Sequence, residues 1–148
     1  GAKVGYNPKK PGRPAHVYHT YMIGNLRLIL DVEVHPGNEG SSNYTRPQLF
    51  TLIDSLPQQA RPTFLRGDTG FGNEGTIVEA ESRDLDYLFK LRQTKKVKTL
   101  IEELHPYATW QNAGQGWEGT EAELTLTGWT RQRRIIVLRR EIKGSSKR

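Results

Sequence analysis

At 148 residues the chain fits one domain, and an apolar fraction of 34% allows a core, though a lean one. The absence of cysteine excludes disulfides and thiolate zinc sites, no apolar run is long enough to span a bilayer, and no secretory signal precedes the domain. A formal charge of +6 suits a polyanionic partner. The ends, Gly-Ala-Lys and Lys-Gly-Ser-Ser-Lys-Arg, read as cut from a longer polypeptide.

In chain order, Gly5 to Pro14 (GYNPKKPGRP) is proline-rich and basic and reads as an irregular segment. Val17 to Ile23 is strand-like, and Gly24-Asn25 marks a turn. Leu26, Leu28, Leu30, Val32 and Val34 then alternate with Arg27, Ile29, Asp31 and Glu33. A period of two predicts a strand with one core face, paired with the first in an antiparallel hairpin. His35 to Tyr44 reads as a loop. Thr45 is expected to cap a helix, with Gln48 as capping-box partner and Pro47 tolerated in the first turn. Leu49, Leu52, Ile53 and Leu56 form its apolar stripe, and Pro57 ends it.

Thr63 to Arg66 predicts a short strand, Asn73 to Ser82 a second helix burying Ile77, Val78 and Ala80, and Tyr87 to Leu91 the next strand. Thr94 caps a third helix in which Val97, Leu100, Ile101 and Leu104 share a face. This rhythm predicts parallel strand pairing with helical crossovers. Beyond Pro106 the pattern changes. YATWQNA, AELTLTGW and RRIIVLRR read as three strands of an antiparallel meander, joined by GQGWEG and a turn near Gly128. The expected fold class is α/β with a mixed sheet: hairpin first, parallel middle, β-rich extension last.

The stretch TFLRGDTGFG places an acid, Asp68, just past a predicted parallel strand. In open α/β sheets such loops face the ligand crevice, and Gly67 and Gly70 suit a tight turn. No lysine-serine pair follows the glycines, so this is not a phosphate cradle. A carboxylate here suits a hard divalent cation, although phosphodiester chemistry needs further acids from other elements. An aspartate among glycines is also an ordinary turn residue, and local pattern alone leaves both readings open.

Three ordered blocks, GYNPKKPGRPAHVYH, LDVEVHPGNEGS and FLRGDTGF, together with YLFKL and the GWEG…RRIIVLRR extension, resemble the catalytic domain of bacterial DDE transposases related to the IS4 and IS1380 insertion elements. The resemblance spans nearly the whole chain. It implies a ribonuclease H-like fold in which three acids bind two divalent ions, Mg²⁺ or Mn²⁺, for DNA strand nicking and transfer. Asp68 matches the second acid, as catalytic residue and metal ligand. The first acid and its strand would precede Gly1, and the third, on a final acidic helix, would follow a β-rich insertion beyond the chain. Residues 1–106 would then be a partial catalytic core, truncated of its first strand and final helix, and 107–148 the start of the insertion and a basic tail. Glu141 follows IIVLRR directly and reads as a strand-end residue rather than the third acid; with Asp31 and Glu33 it is the alternative to test. The implied fragment is inactive alone and does not hold the two ions. Its parent acts in the bacterial cytoplasm on nucleoid DNA. A homodimer across an exposed sheet edge is one way to offset the missing strand.

Residues expected to contact DNA are Lys9, Lys10 and Arg13 in the first segment, Arg66 beside the acidic loop, Lys95 and Lys96 opening the third helix, and Arg131, Arg133 and Arg134 in the basic tail, which extends through Lys143, Lys147 and Arg148. Lysines at a helix N-terminus oppose its dipole, which hints at use. Each cluster also reads as an ordinary solvated face. Trp110, Trp117 and Trp129 suit base stacking or packing of the extension. His16, His19, His35 and His105 lack paired spacing, which argues against a zinc site. A non-catalytic nucleic-acid-binding domain and a dimerising structural remnant are the rival readings.

Overall fold

A computed structural model describes residues 1–39 and 41–141, the side chains of 41–46 excepted. The tail cations Lys143, Lys147 and Arg148 and the Thr45 side chain lie outside the described residues. The chain divides into two compact units, Gly1–Leu91 and a second beginning at Arg92.

The first unit opens with β1 (Lys3–Val4), β2 (Pro14–Ile23) and β3 (Leu28–Pro36), an antiparallel sheet in the order β1-β2-β3. Between Tyr21 and Met22 the β2–β3 register slips: Tyr21 faces Asp31 and Met22 faces Ile29, so Leu30 is the extra residue of a bulge. The hairpin matches its expected existence and pairing, but its covered face is the opposite one. His19 and Tyr21 are buried, and Glu33 and His35 are half-buried, whereas Leu28, Leu30, Val32 and Val34 are 41–55% exposed. Alternation shows that a strand has two kinds of face; which one is covered depends on where the helix lands.

That helix is α1 (Ser41–Ser55). It begins before Thr45, so the expected cap is an interior position and the expected loop is short. Pro47 stands inside it, and it stops before Pro57, as the sequence indicates. A 3₁₀ turn, Gln58–Ala60, leads to β4 (Phe64–Gly67), then α2 (Glu74–Glu81) and β5 (Asp86–Phe89). β4 and β5 pair in parallel, from Phe64 opposite Asp86 to Gly67 opposite Phe89. The described strands of this unit therefore form a hairpin sheet and a separate parallel pair, rather than one continuous mixed sheet.

The core lies between α1, α2 and β4–β5: Phe50, Ile53, Leu65, Ala80 and Leu85 are buried, with Leu49, Tyr87 and Phe89 packed on them. Ile77 and Ala80 are buried as expected; Val78 is 41% exposed, one helical step off the core face. Arg83 ties the two helices together. Its guanidinium lies 4.7 Å from the Phe50 ring centroid and donates to both carboxylate oxygens of Asp54 and to Glu79. The Asp54 bonds hold that carboxyl below its ordinary range.

The second unit contains α3 (Lys95–Tyr107), capped by Thr94, whose Oγ1 accepts from the Val97 amide. An antiparallel sheet follows, β6 (Gln111–Gly114), β7 (Trp117–Leu124) and β8 (Arg133–Arg140), in that order. The antiparallel meander and β8 are as expected, but the other two strands are displaced: Tyr107 still belongs to α3 and β6 takes only the end of YATWQNA, while β7 starts inside GQGWEG and ends at Leu124, before the TLTGW of AELTLTGW. Gly114, Gln115 and Gly116 all take positive φ, so the whole reversal is packed into those three residues. Leu124, Val137, Thr120 and Arg133 are buried on one face of the sheet.

Phe50 is 3% exposed and packs at the meeting of α1, α2 and Arg83. Phe50→Ala is expected to cost about 3–5 kcal/mol in urea unfolding. Val34→Ala, at a residue 54% exposed, should change stability by no more than about 0.5 kcal/mol; equal losses for the two would contradict this assignment of the core.

Candidate active site

Asp68 follows the last residue of β4, and its position is set by local chemistry. Its Oδ1 accepts from the Gly70 amide at 2.8 Å, and its carbonyl accepts from the Phe71 amide at 3.1 Å. Asn73 then closes the loop: its Nδ2 donates to the Gly70 carbonyl at 3.0 Å, and its Oδ1 accepts from the Thr76 amide at 3.1 Å, capping α2. The glycines serve close approach. A Cβ on Gly67 would lie 2.8 Å from Phe71 Cβ, and one on Gly72 would lie 2.4 Å from the Lys90 carbonyl oxygen. The loop is thus held against the end of β5, with the Asp68 side chain exposed. The Asx turn and an outward carboxylate coexist here.

A second polar group, which the scattered histidines did not suggest, forms across the hairpin. His19 faces Glu33 directly, and the His19 and His35 rings lie 5.3 Å apart. A ring nitrogen of His35 lies 3.2 Å from a carboxylate oxygen of Glu33, and the other lies 3.2 Å from one of Glu39. Tyr21 donates to Glu33 at 3.1 Å, and burial followed by Glu33 raises its pKa. The signal was present as His-x-Tyr opposite Glu-x-His, but only the register brings those residues onto one face. His19 Nε2 is buried and has no hydrogen-bond partner among the described residues. Burial, then the neighbouring His35, lowers the His19 pKa; the Glu33 and Asp68 carboxylates pull the other way. His19 therefore sits within the electrostatic reach of Asp68.

Among the described residues, no group of three or more His, Cys, Asp or Glu is arranged to hold a metal ion. Asp31 and Glu33 lie on β3, and Glu33 is engaged by Tyr21 and His35. Glu141 is exposed immediately after the end of β8.

A family model described as transposase DDE domain group 1 matches residues 13–146. The chain belongs to this family. No curated protein and no solved structure matches it significantly.

In this DDE transposase domain the basic residues divide by environment. Lys9, Lys10, Arg13, Arg66, Lys95, Lys96 and Arg131 are exposed. Arg134 is exposed but engaged, donating through Nε and a terminal nitrogen to both oxygens of Glu121, whose pKa it lowers. Arg133 departs from expectation. It is 6% exposed, with its guanidinium 5.1 Å from the Trp129 ring centroid, which places it in the packing of the sheet and away from an incoming phosphate. The other tryptophans have similar neighbours: Arg139 lies 3.9 Å from the Trp110 ring and Arg140 lies 4.8 Å from that of Trp117. Arg139 also donates to Glu118 at 2.8 Å. No helix among the described residues is long and apolar enough to cross a membrane.

The lowered His19 pKa has a pH consequence. The unfolded chain takes up this proton near the ordinary value of 6.5, whereas the folded chain resists it to lower pH. The contribution of His19 to stability is present above 6.5 and declines as the pH falls through 6.5 towards the folded pKa. Urea midpoints should therefore drop between about pH 7.5 and pH 5.5, and drop less for His19→Leu. The same pH slope in both proteins would rule out His19 as the source.

Proposed function

We propose that the chain is the central part of the catalytic domain of a metal-dependent DNA transposase, of the group related to the IS4 and IS1380 insertion elements, with a ribonuclease H-like core. On this reading Asp68 is one of three metal-binding acids and the only one among the residues described. Residues 1–106 belong to the catalytic core, and 107–148 begin a β-rich insertion. The observation that carries the proposal is an exposed carboxylate on a fixed loop at the carboxyl end of a parallel strand, within a family match spanning residues 13–146.

The described residues do not by themselves fit a magnesium or manganese site. Mg²⁺ takes oxygen ligands in near-octahedral geometry and gives up water reluctantly, so one carboxylate holds it poorly, and among the described residues no group of three or more His, Cys, Asp or Glu is arranged to hold a metal ion. The remaining acids are proposed to come from other parts of the parent polypeptide, and the chain alone is proposed to be inactive. Its proposed phosphate contacts are the exposed Lys9, Lys10, Arg13, Arg66, Lys95, Lys96 and Arg131. The parent is proposed to work on bacterial cytoplasmic DNA, as a homodimer.

A DNA-nicking assay with added Mg²⁺ tests this reading, comparing the chain with the same region extended in both directions. Activity is expected only in the extended protein, and Asp68→Asn should abolish nicking while leaving salt-dependent DNA binding within about twofold. A normal nicking rate in Asp68→Asn would remove Asp68 from the site. Nicking by the chain alone would show that its own acids suffice, and Asp31, Glu33 and Glu141 would then be the residues to replace.

A further inference from the structure

The loop that carries Asp68 has little in its own sequence to stiffen it. Gly70 and Gly72 flank Phe71, and glycine leaves the backbone free to rotate on both sides. What fixes the turn is the peptide unit between Gly70 and Phe71, which is held at both ends. Its N–H, that of Phe71, donates to the Asp68 carbonyl at 3.1 Å, and its carbonyl, that of Gly70, accepts from Asn73 Nδ2 at 3.0 Å. The preceding N–H, that of Gly70, donates to Asp68 Oδ1 at 2.8 Å. Control therefore runs from Asn73 to the Gly70–Phe71 peptide, and from Gly70 and Phe71 to the side chain and backbone of Asp68. Among the described residues Asp68 Oδ2 makes no hydrogen bond or ion pair, and the side chain is exposed. One carboxylate oxygen holds the loop and the other stays open.

Asn73 is itself fixed. Its Oδ1 accepts from the Thr76 amide at 3.1 Å and from the Thr76 hydroxyl at 3.3 Å. Thr76 is 0% exposed, so no water can replace these bonds. The Asn73 amide group then has one orientation only. A flipped group would set Nδ2 against the Thr76 N–H and Oδ1 against the Gly70 carbonyl, donor on donor and acceptor on acceptor. Capping a helix needs the oxygen alone, and serine or aspartate supplies it as well as asparagine does. The amide nitrogen adds nothing to the cap; its bond goes to the Asp68 loop.

We propose that Asn73 is a positioning residue for Asp68, acting through the Gly70 carbonyl to hold the turn that fixes one carboxylate oxygen and leaves the other open. The first turn of α2 is thereby the support on which the acid is aimed. The inference rests on the reading of Asp68 as one of the metal-binding acids, and it names the residue that keeps that acid in place.

Amide hydrogen exchange of the chain, followed by NMR without DNA or divalent ions, tests the positioning, and nicking by the extended protein with Mg²⁺ tests its consequence. Asn73→Ser keeps an oxygen for the Thr76 amide and removes the donor to Gly70. The Gly70 and Phe71 amides should then exchange about fivefold faster or more, while those of Thr76 and Ile77 keep their rates within about twofold. Asn73→Ala removes both functions and should speed all four. In the extended protein Asn73→Ser should lower the nicking rate by about tenfold and leave DNA affinity within about twofold. Unchanged Gly70 and Phe71 exchange in Asn73→Ser overturns the inference. Equal acceleration of the loop and α2 in that variant also overturns it, because Asn73 would then be a helix cap and nothing more. So does faster loop exchange with a normal nicking rate, since the loop would move without consequence for the acid. Failure of the Asp68 reading is a separate result: it shows as normal nicking by Asp68→Asn, whereas the exchange rates are measured without cleavage.

Discussion

Four residues of parallel pairing between β4 and β5 hold the first unit in register, and the Asp68 loop depends on them. Gly67 lies opposite Phe89 because Phe64 lies opposite Asp86. From that register the chain must pass close to the Phe89 ring and the Lys90 carbonyl, which only residues without a Cβ allow at positions 67 and 72. The Lys90 amide completes the join by donating to the Gly67 carbonyl at 3.2 Å. A shift of one residue in this short pair would exchange the faces of Leu65 and Arg66, exposing a core side chain and burying a guanidinium.

Electrostatics shapes the two units differently. In the first, Arg83 bridges Asp54 and Glu79 over Phe50, so one cation both packs on and neutralises the junction of α1 and α2. Such partly exposed pairs stabilise modestly, and the apolar core beneath does more. In the second, the arginines of β8 are largely occupied by Glu118, Glu121 and the three tryptophan rings. A chain charge of +6 therefore overstates the positive charge this strand can offer to DNA. The exposed lysines at the start of α3 and in the first segment remain as solvated cations of the kind that phosphate contact uses.

What was legible in the sequence is what short-range chemistry decides. Gly24-Asn25 reads as a turn, Thr94 as a cap, Pro57 as a stop and RRIIVLRR as a strand, because each depends on neighbours within a few residues. What was not legible depended on partners far along the chain. The β3 alternation is real, yet its aliphatic positions are exposed, because the inner face of the hairpin carries His19, Tyr21, Glu33 and His35. Arg133 reads as a tail cation until Trp129 and the buried face of β7–β8 surround it. Asp68 could be picked out as an acid past a strand, but whether other acids stand beside it is a property of the folded chain.

The sequence by itself determined the strand and helix content, the antiparallel hairpin, the parallel pair, the closing meander and, through three ordered motifs, the family. These follow from periodicity, caps and turn residues, which act locally and survive without knowledge of the fold. Tertiary structure alone decided that the described strands form three sheets, which face of the hairpin is covered, which arginines are engaged, and that His19 and Asp68 share an electrostatic neighbourhood. Those outcomes come from packing and register between distant segments, and a linear pattern carries no distance between residues it does not place in contact.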